Sequence, residues 1–169
     1  MPPPSPAQRL KLDGKERERA ERCLANAVYF EARSEPFRGQ VAVTQVLLNR
    51  VFSPFYPNDI CSVVYQNAKR HLACQFTFAC DGQRDVITER GAWARARRVA
   101  QKTLDGQLYV TAVGTSTHYH AVYVHPNWTR EMRKMVREGV HNFYRPIAWG
   151  SGANLPVWTR AAVAARKKK

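Results

Sequence analysis

The chain has 169 residues, with 27 Lys and Arg against 13 Asp and Glu, a formal charge of +14. That length fits one domain, and 44% hydrophobic residues, among them 7 Phe, 7 Tyr and 4 Trp, supply a core and exclude a fully disordered basic protein. No run nears the ~18 apolar residues of a membrane-spanning helix, and the opening MPPPSPAQRLKLDGKERERA lacks the apolar stretch of a signal peptide.

Residues 1–14, which begin Met-Pro-Pro-Pro, read as a disordered or loosely docked arm. A helix is predicted over 15–33, with Leu24, Ala27, Val28 and Glu31 on one face at i, i+3, i+4 and i+7. Ser34-Glu35-Pro36 stops it, because Pro36 disfavours helical geometry at Glu35. The second helix, 38–51, carries Val41, Val43, Val46, Leu47, Leu48 and Val51 around its circumference and is expected to be buried on most sides. After a loop at 53–59, Asn58 or Asp59 caps a short helix running to about 66. Residues 67–89 read as irregular, with a tight turn at Asp81-Gly82. A further helix spans 90–104, with Trp93, Ala96, Ala100 and Leu104 inward, and ends at Asp105-Gly106. Leu108–Val110 and Thr117–Val124 read as two strands joined by a turn at Gly114. A last helix is expected over 130–138, closed by Gly139, with residues 141–146 running out of it. Residues 149–169 form a basic C-terminal tail, leaving 15–148 as the functional domain. The fold class is α+β: a helix-rich single domain with a small hairpin or sheet.

The positive charge gathers at 90–102, at 130–137 and at 166–169, and points to a polyanionic or anionic partner. Nucleic acid is the first candidate on charge alone and an acidic cell envelope the second. None of the sequence patterns of the common nucleic-acid-binding modules is present. Cys23, Cys61, Cys74 and Cys80 allow three disulfide pairings. The even set points to an oxidising compartment, with four free buried thiols as the alternative. The lack of any CxxC pair argues against a zinc knuckle.

Glu31 is the most informative residue. A carboxylate on an apolar helix stripe loses hydration, which raises its pKa and suits it to general acid catalysis of glycosidic cleavage. The alternative is a structural ion pair with Arg33, Arg38 or Arg50. Glu35, one turn on, is a second carboxylate or a loop residue. His118-Tyr119-His120 places two imidazoles on one strand face. With His125 or His141 they would make a zinc site open to water, and otherwise they line a groove. No cysteine lies in a nucleophile motif.

The ordered blocks Tyr29-Phe30-Glu31-Ala32-Arg33-Ser34-Glu35-Pro36, Gly39–Val43, Leu48–Val51, Tyr56–Gln66, Cys74–Gly82, Thr117–Ala121 and Gly139–Tyr144 resemble the SleB/CwlJ-type cell wall hydrolases, named for spore cortex-lytic enzymes. They cover about residues 22–145. Ser34 stands where the family usually has Gly, and the Thr117–His120 block and the cysteines fit the proteobacterial-type members better. The resemblance implies a lysozyme- or lytic-transglycosylase-like domain that cuts the bond between N-acetylmuramic acid and N-acetylglucosamine. It implies Glu31 as the general acid and base, and no cofactor or metal. Glu35, Gln75, Phe76, Thr77, Asp81, His118, Tyr119 and His120 are the expected substrate contacts.

The expected partner is bacterial peptidoglycan, with basic helices and tail on an anionic envelope surface, no specific nucleic acid and a monomeric state. The expected place of action is the cell wall, in the periplasm or outside the cell. Because no leader is read in the chain, delivery is expected through a phage-type holin, another export route or a trimmed precursor. The rival readings are a zinc-dependent N-acetylmuramoyl-L-alanine amidase using His118 and His120, and a basic nucleic-acid-binding module.

Overall fold

Two helices meet at a proline corner and set the frame of the molecule. The computed structural model describes residues 3–66 and 86–149. Helix α1 is a single turn, Pro6–Arg9, started by a capping box in which Ser5 and Gln8 exchange side-chain and backbone bonds. Ala7 is buried, and Leu10 and Leu12 pack on the core, so this part of the expected arm is docked on the domain.

Helix α2, Gly14–Ala32, buries Leu24, Ala25, Ala27, Val28 and Tyr29. Helix α3, Phe37–Val51, is enclosed from Gly39 to Val51, as its all-round apolar pattern predicts. Helix α4, Ile60–Val64, is capped by the Asp59 carboxylate, which accepts from the Ser62 N–H at 3.0 Å. Helix α5, Arg90–Leu104, lays Ala96, Val99, Ala100 and Leu104 inward, while Trp93 is half-buried and meets Tyr29 edge-on. A disulfide joins Cys23 of α2 to Cys61 of α4. It closes 38 residues of chain, which in the chain-entropy picture stabilises the fold by about 3–4 kcal/mol. Pairing of Cys74 and Cys80 lies outside the described residues.

The sheet departs from the sequence reading in two places. Residues 107–117 form no strand. Their backbone groups are taken by buried amides of α3: Gln45 Nε2 donates to Val110 O and Gly114 O, Gln45 Oε1 accepts from Val110 N, and Asn49 Nδ2 donates to Gly114 O and Ser116 O. These bonds hold Val110, Gly114 and Ser116 to α3 in place of a neighbouring strand. Only β1, His118–Ala121, remains of the expected pair, and Gly114 (φ +52°) turns within the loop.

The expected helix over 130–138 is instead a 3-10 turn, Asn127–Glu131, followed by strand β2, Met132–Glu138. Strand β3, His141–Pro146, lies between the other two in the antiparallel order β1-β3-β2. The register slips between Lys134 and Val136. That bulge puts Met132, Met135 and Val136, the half-buried apolar residues of β2, at i, i+3 and i+4, which imitates a helix stripe. Gly139, read as a helix stop, is the first residue of the two-residue β2–β3 turn, at φ +59°.

The hairpin tip is clamped to the α2–α3 corner. Glu35 is buried there, and its Oε1 accepts from the Val140 N–H at 2.9 Å. A Cβ at Gly139 would stand 2.6 Å from that oxygen. Arg38 of α3 pairs with Glu138 at 2.8 Å beside it.

Two glycine substitutions separate strain from propensity. Gly139→Ala incurs the left-handed penalty of about 1–2 kcal/mol and a clash with Glu35, so urea denaturation shows a loss of at least that size. Gly91→Ala, in α5 with nothing within 4 Å, raises stability by about 0.5–1 kcal/mol. Equal midpoints for the two variants would contradict the clamp.

Candidate active site

Glu31 sits in the last turn of α2, on the side that faces α3 and β1. Its side chain is mostly enclosed but keeps an opening to solvent. Burial raises its pKa from the ordinary 4.5 to about 7, against the lowering effects of the Arg50 charge and of the Tyr119 hydroxyl. Of the three arginines that the sequence offers as partners, Arg33 pairs with Glu89 and stacks on Tyr29, and Arg38 pairs with Glu138. Arg50 is the one whose charge acts on Glu31, and burial outweighs it.

Arg50 is held from α3 by a 2.7 Å bond from Nε to Thr117 O and lies over the Tyr56 ring at 4.9 Å. Tyr119 comes from β1. Its ring packs edge-on against His141 at 4.9 Å and lies tilted against Phe143 at 5.6 Å. Its hydroxyl is buried, makes no hydrogen bond of good geometry, and interacts with Glu31. Burial pushes that hydroxyl's pKa up, so it stays protonated and available as a donor. The carboxyl therefore lies between a fixed cation and a buried hydroxyl.

Strand alternation divides the histidines. The pairs His118↔Tyr144 and His120↔Asn142 face away from the helices, whereas Tyr119↔Phe143 and Ala121↔His141 face them. On the outer face His120 stacks on Tyr144, with ring centroids 5.1 Å apart. Trp128, from the 3-10 turn, packs on His118, His120 and Tyr144 at 5.2, 5.7 and 5.4 Å. His118 is held near pKa 4 by burial and then by Arg50, so it is neutral.

His120 Nδ1 is 2.7 Å from Ala121 O, which can only accept. In the neutral ring the proton is therefore on Nδ1, and Nε2 accepts from the Tyr144 hydroxyl at 2.8 Å. His141 points to the opposite face, 3.3 Å from Glu35, and burial lowers its pKa. His125 is exposed beyond β1. The third ligand of the expected zinc alternative is thus not brought to His118 and His120. Among the described residues no group of three His, Cys, Asp or Glu is arranged to hold a metal ion.

The expected contacts divide accordingly. Glu31 and Tyr119 meet beside Arg50 on the helix-facing side of β1. His118 and His120 lie on its outer face, His118 within reach of the Arg50 charge and His120 against Trp128 and Tyr144. Glu35 is turned into the hairpin clamp. Gln75, Phe76, Thr77 and Asp81 lie outside the described residues. Sequence reasoning missed Trp128, which stands in a short 3-10 turn with no periodicity to mark it, and gave Arg50 only as one of three partners.

Ionisation of Glu31 has a direct thermodynamic consequence. The folded chain holds this proton more tightly than the unfolded chain, so the stabilisation is complete below about pH 4.5 and is lost as pH rises through about 7. Glu31→Gln removes that loss, and thermal melts at pH 8 should show the variant more stable by about 1–3 kcal/mol, with no gain at pH 4. Tyr119→Phe deletes a group that lowers the Glu31 pKa, so NMR titration of the Glu31 carboxyl should move to higher pH; no movement would detach Tyr119 from the site.

The family described as Cell Wall Hydrolase matches residues 34–144, beginning three residues after Glu31. A spore cortex-lytic enzyme of Halalkalibacterium halodurans is 32% identical over 120 residues, 71% of this chain and 33% of the relative. The Bacillus subtilis spore cortex-lytic enzyme is 47% identical over 62 residues, 37% of this chain and 18% of the relative. The chain thus matches 18% to 33% of the length of these relatives. Among solved structures, the catalytic domain of the Bacillus cereus SleB protein superposes with a TM-score of 0.60 at 28% identity, over 76% of this chain and 91% of that one. The catalytic domain of the germination-specific lytic transglycosylase SleB from Bacillus anthracis gives 0.59 at 29% identity, over 75% and 93%. These matches carry the helix-rich, lysozyme-like α+β fold expected from the sequence. The chain belongs to the cell wall hydrolase family.

Proposed function

We propose that the chain is a peptidoglycan glycosidase that cleaves the bond between N-acetylmuramic acid and N-acetylglucosamine as a lytic transglycosylase, acting at the bacterial cell wall. One observation carries the reading: a solvent-reachable carboxyl, Glu31, holds its proton up to about pH 7 between Arg50 and Tyr119. The likeness to the Bacillus anthracis lytic transglycosylase domain supports the reaction class.

Protonated Glu31 gives its proton to the glycosidic oxygen as the C1–O bond breaks, leaving an oxocarbenium-like centre on the muramyl ring. The resulting carboxylate is stabilised by the Arg50 charge and by the Tyr119 hydroxyl. It then takes the proton of the muramyl 6-hydroxyl as that oxygen closes on C1. A 1,6-anhydro ring forms, no water is consumed, and Glu31 ends as it began, with its proton. One carboxyl does both steps, which suits a site where Glu35 is committed to the hairpin.

The outer face of β1 supplies the sugar-binding wall in this reading. His118, His120 and Trp128 offer flat rings to a glycan, with Trp128 the largest stacking surface. Gln75, Phe76, Thr77 and Asp81 are proposed contacts on the strength of the sequence resemblance. Glu35 is assigned to positioning the hairpin, and Tyr119 to Glu31 through its hydroxyl. The zinc amidase reading is disfavoured, since His120 uses both ring nitrogens within the protein and His141 faces the other way.

Mass spectrometry of products from purified sacculi tests the reaction. Wild type should release muropeptides ending in the anhydro ring. Glu31→Gln, although folded, should release them at least ~10²-fold more slowly. Ends carrying an added water would identify a muramidase, and free peptides sensitive to a chelator would identify the amidase. Because the acid form of Glu31 does the first step, kcat/KM on soluble glycan should fall as pH rises past about 7. A profile flat to pH 9 would remove Glu31 from the role.

A further inference from the structure

Helix α5 carries Arg90, Arg95, Arg97, Arg98 and Lys102, all exposed, and no acidic residue. At about 100° per residue these five cations fall within roughly 160° of the helix circumference. The opposite arc holds Ala96, Val99, Ala100, Thr103 and Leu104, which are buried. The acids flanking the helix are already engaged: Glu89 pairs with Arg33, and Asp105 with Arg17 at 2.8 Å. Among the described residues no acidic side chain pairs with any of the five.

The other basic element differs. On β2, Arg133, Lys134 and Arg137 are only three, stand between Glu131 of the preceding turn and Glu138, which pairs with Arg38, and Arg137 Nε is taken up by Gly139 O. We propose that the α5 face is a docking surface for an anionic lipid bilayer. The cations spread along the outer side of a 15-residue helix about 22 Å long, a convex surface that meets a plane of headgroups better than a single polymer strand. Val86 and Ile87, 49% and 37% exposed, precede the helix and add apolar contact at its start.

Docking through α5 leaves the proposed active site open. Tyr29 faces α5, where its hydroxyl accepts from the Thr88 and Glu89 N–H groups at 3.1 Å. Glu31, two residues on, is turned by about 200° around α2. The carboxyl thus faces away from the surface that would meet the membrane, toward the space where a glycan strand would run. This goes beyond the glycosidase reading and stands without it, because binding and turnover are measured separately.

The test is co-sedimentation of the full chain with vesicles of phosphatidylglycerol and phosphatidylcholine against vesicles of phosphatidylcholine alone. Binding should require the anionic lipid and weaken steeply with added salt. Arg95→Gln/Arg97→Gln/Arg98→Gln should weaken it on the order of 10²-fold, while turnover of soluble glycan stays at the wild-type level. Arg90→Gln/Lys102→Gln, which leaves the middle of α5 intact, should give a smaller loss of the same kind. The proposal fails if the triple variant binds like wild type or if neutral vesicles bind equally well. It also fails if the loss follows Arg133→Gln/Lys134→Gln/Arg137→Gln instead, or if soluble polyglycerol phosphate binds and vesicles do not. Loss of turnover in wild type, with vesicle binding intact, would overturn the glycosidase reading alone.

Discussion

The row of polar side chains buried on α3 is the interaction on which the site depends. Gln45, Asn49 and Arg50 lie on a helix enclosed almost along its whole length, and each sends donors to the backbone of residues 110–117. Buried amides left without partners would cost about 1–3 kcal/mol each, so helix and loop specify one another. The loop cannot slide without orphaning several donors at once. It delivers β1 at a fixed height along α3, which brings Tyr119 to Glu31. The last member of the row, Arg50, uses Nε to hold Thr117 O and so keeps its guanidinium beside the carboxyl. One set of hydrogen bonds both replaces a strand pair and builds an electrostatic environment.

That environment balances opposed effects. A fully buried carboxyl would hold its proton too tightly to act as a base afterwards, and a solvated one would have lost it before the first step. Burial raises the Glu31 pKa, while Arg50 and Tyr119 stabilise the charged form, and the outcome is near neutrality. The helix end adds to the upward push. Glu31 lies in the last turn of α2, where the macrodipole places partial negative charge. Gln40 Nε2 from α3 reaches the Ala32 and Glu35 carbonyls at 3.3 Å, satisfying groups that a helix end leaves open.

What was legible in the sequence follows the range of the interactions involved. α2, α3 and α5 announce themselves because burial of one face imposes a 3.6-residue period over 15 or more residues. Glu31 could be singled out for the same reason, since a carboxyl on an apolar stripe breaks a strong local pattern. β2 deceived because one bulged residue converts an alternating pattern into helix-like spacing. The loop at 107–117 deceived because its β-like residues are outbid by amides some 65 positions away, and no window along the chain contains both partners. Glu35 looked like a second candidate for chemistry, yet its partner Val140 lies 105 residues on. Trp128 belongs to a turn too short for any period.

Glu35 also shows how the fold puts the two carboxyls in different surroundings although they stand one turn apart in sequence. Pro36 ends α2 and throws the chain outward, so Glu35 leaves the helix axis while Glu31 stays on it. Once off the helix, Glu35 finds a backbone N–H donor at Val140 and a buried place between the corner and the hairpin tip. Gly139 completes the arrangement, because any larger residue would push the hairpin tip off that carboxylate. If the tip moved, His141 and Phe143 would move with β3, and they are the rings that fix Tyr119. A glycine at the far end of the sheet therefore governs the hydroxyl beside Glu31, with no contact to the carboxyl itself.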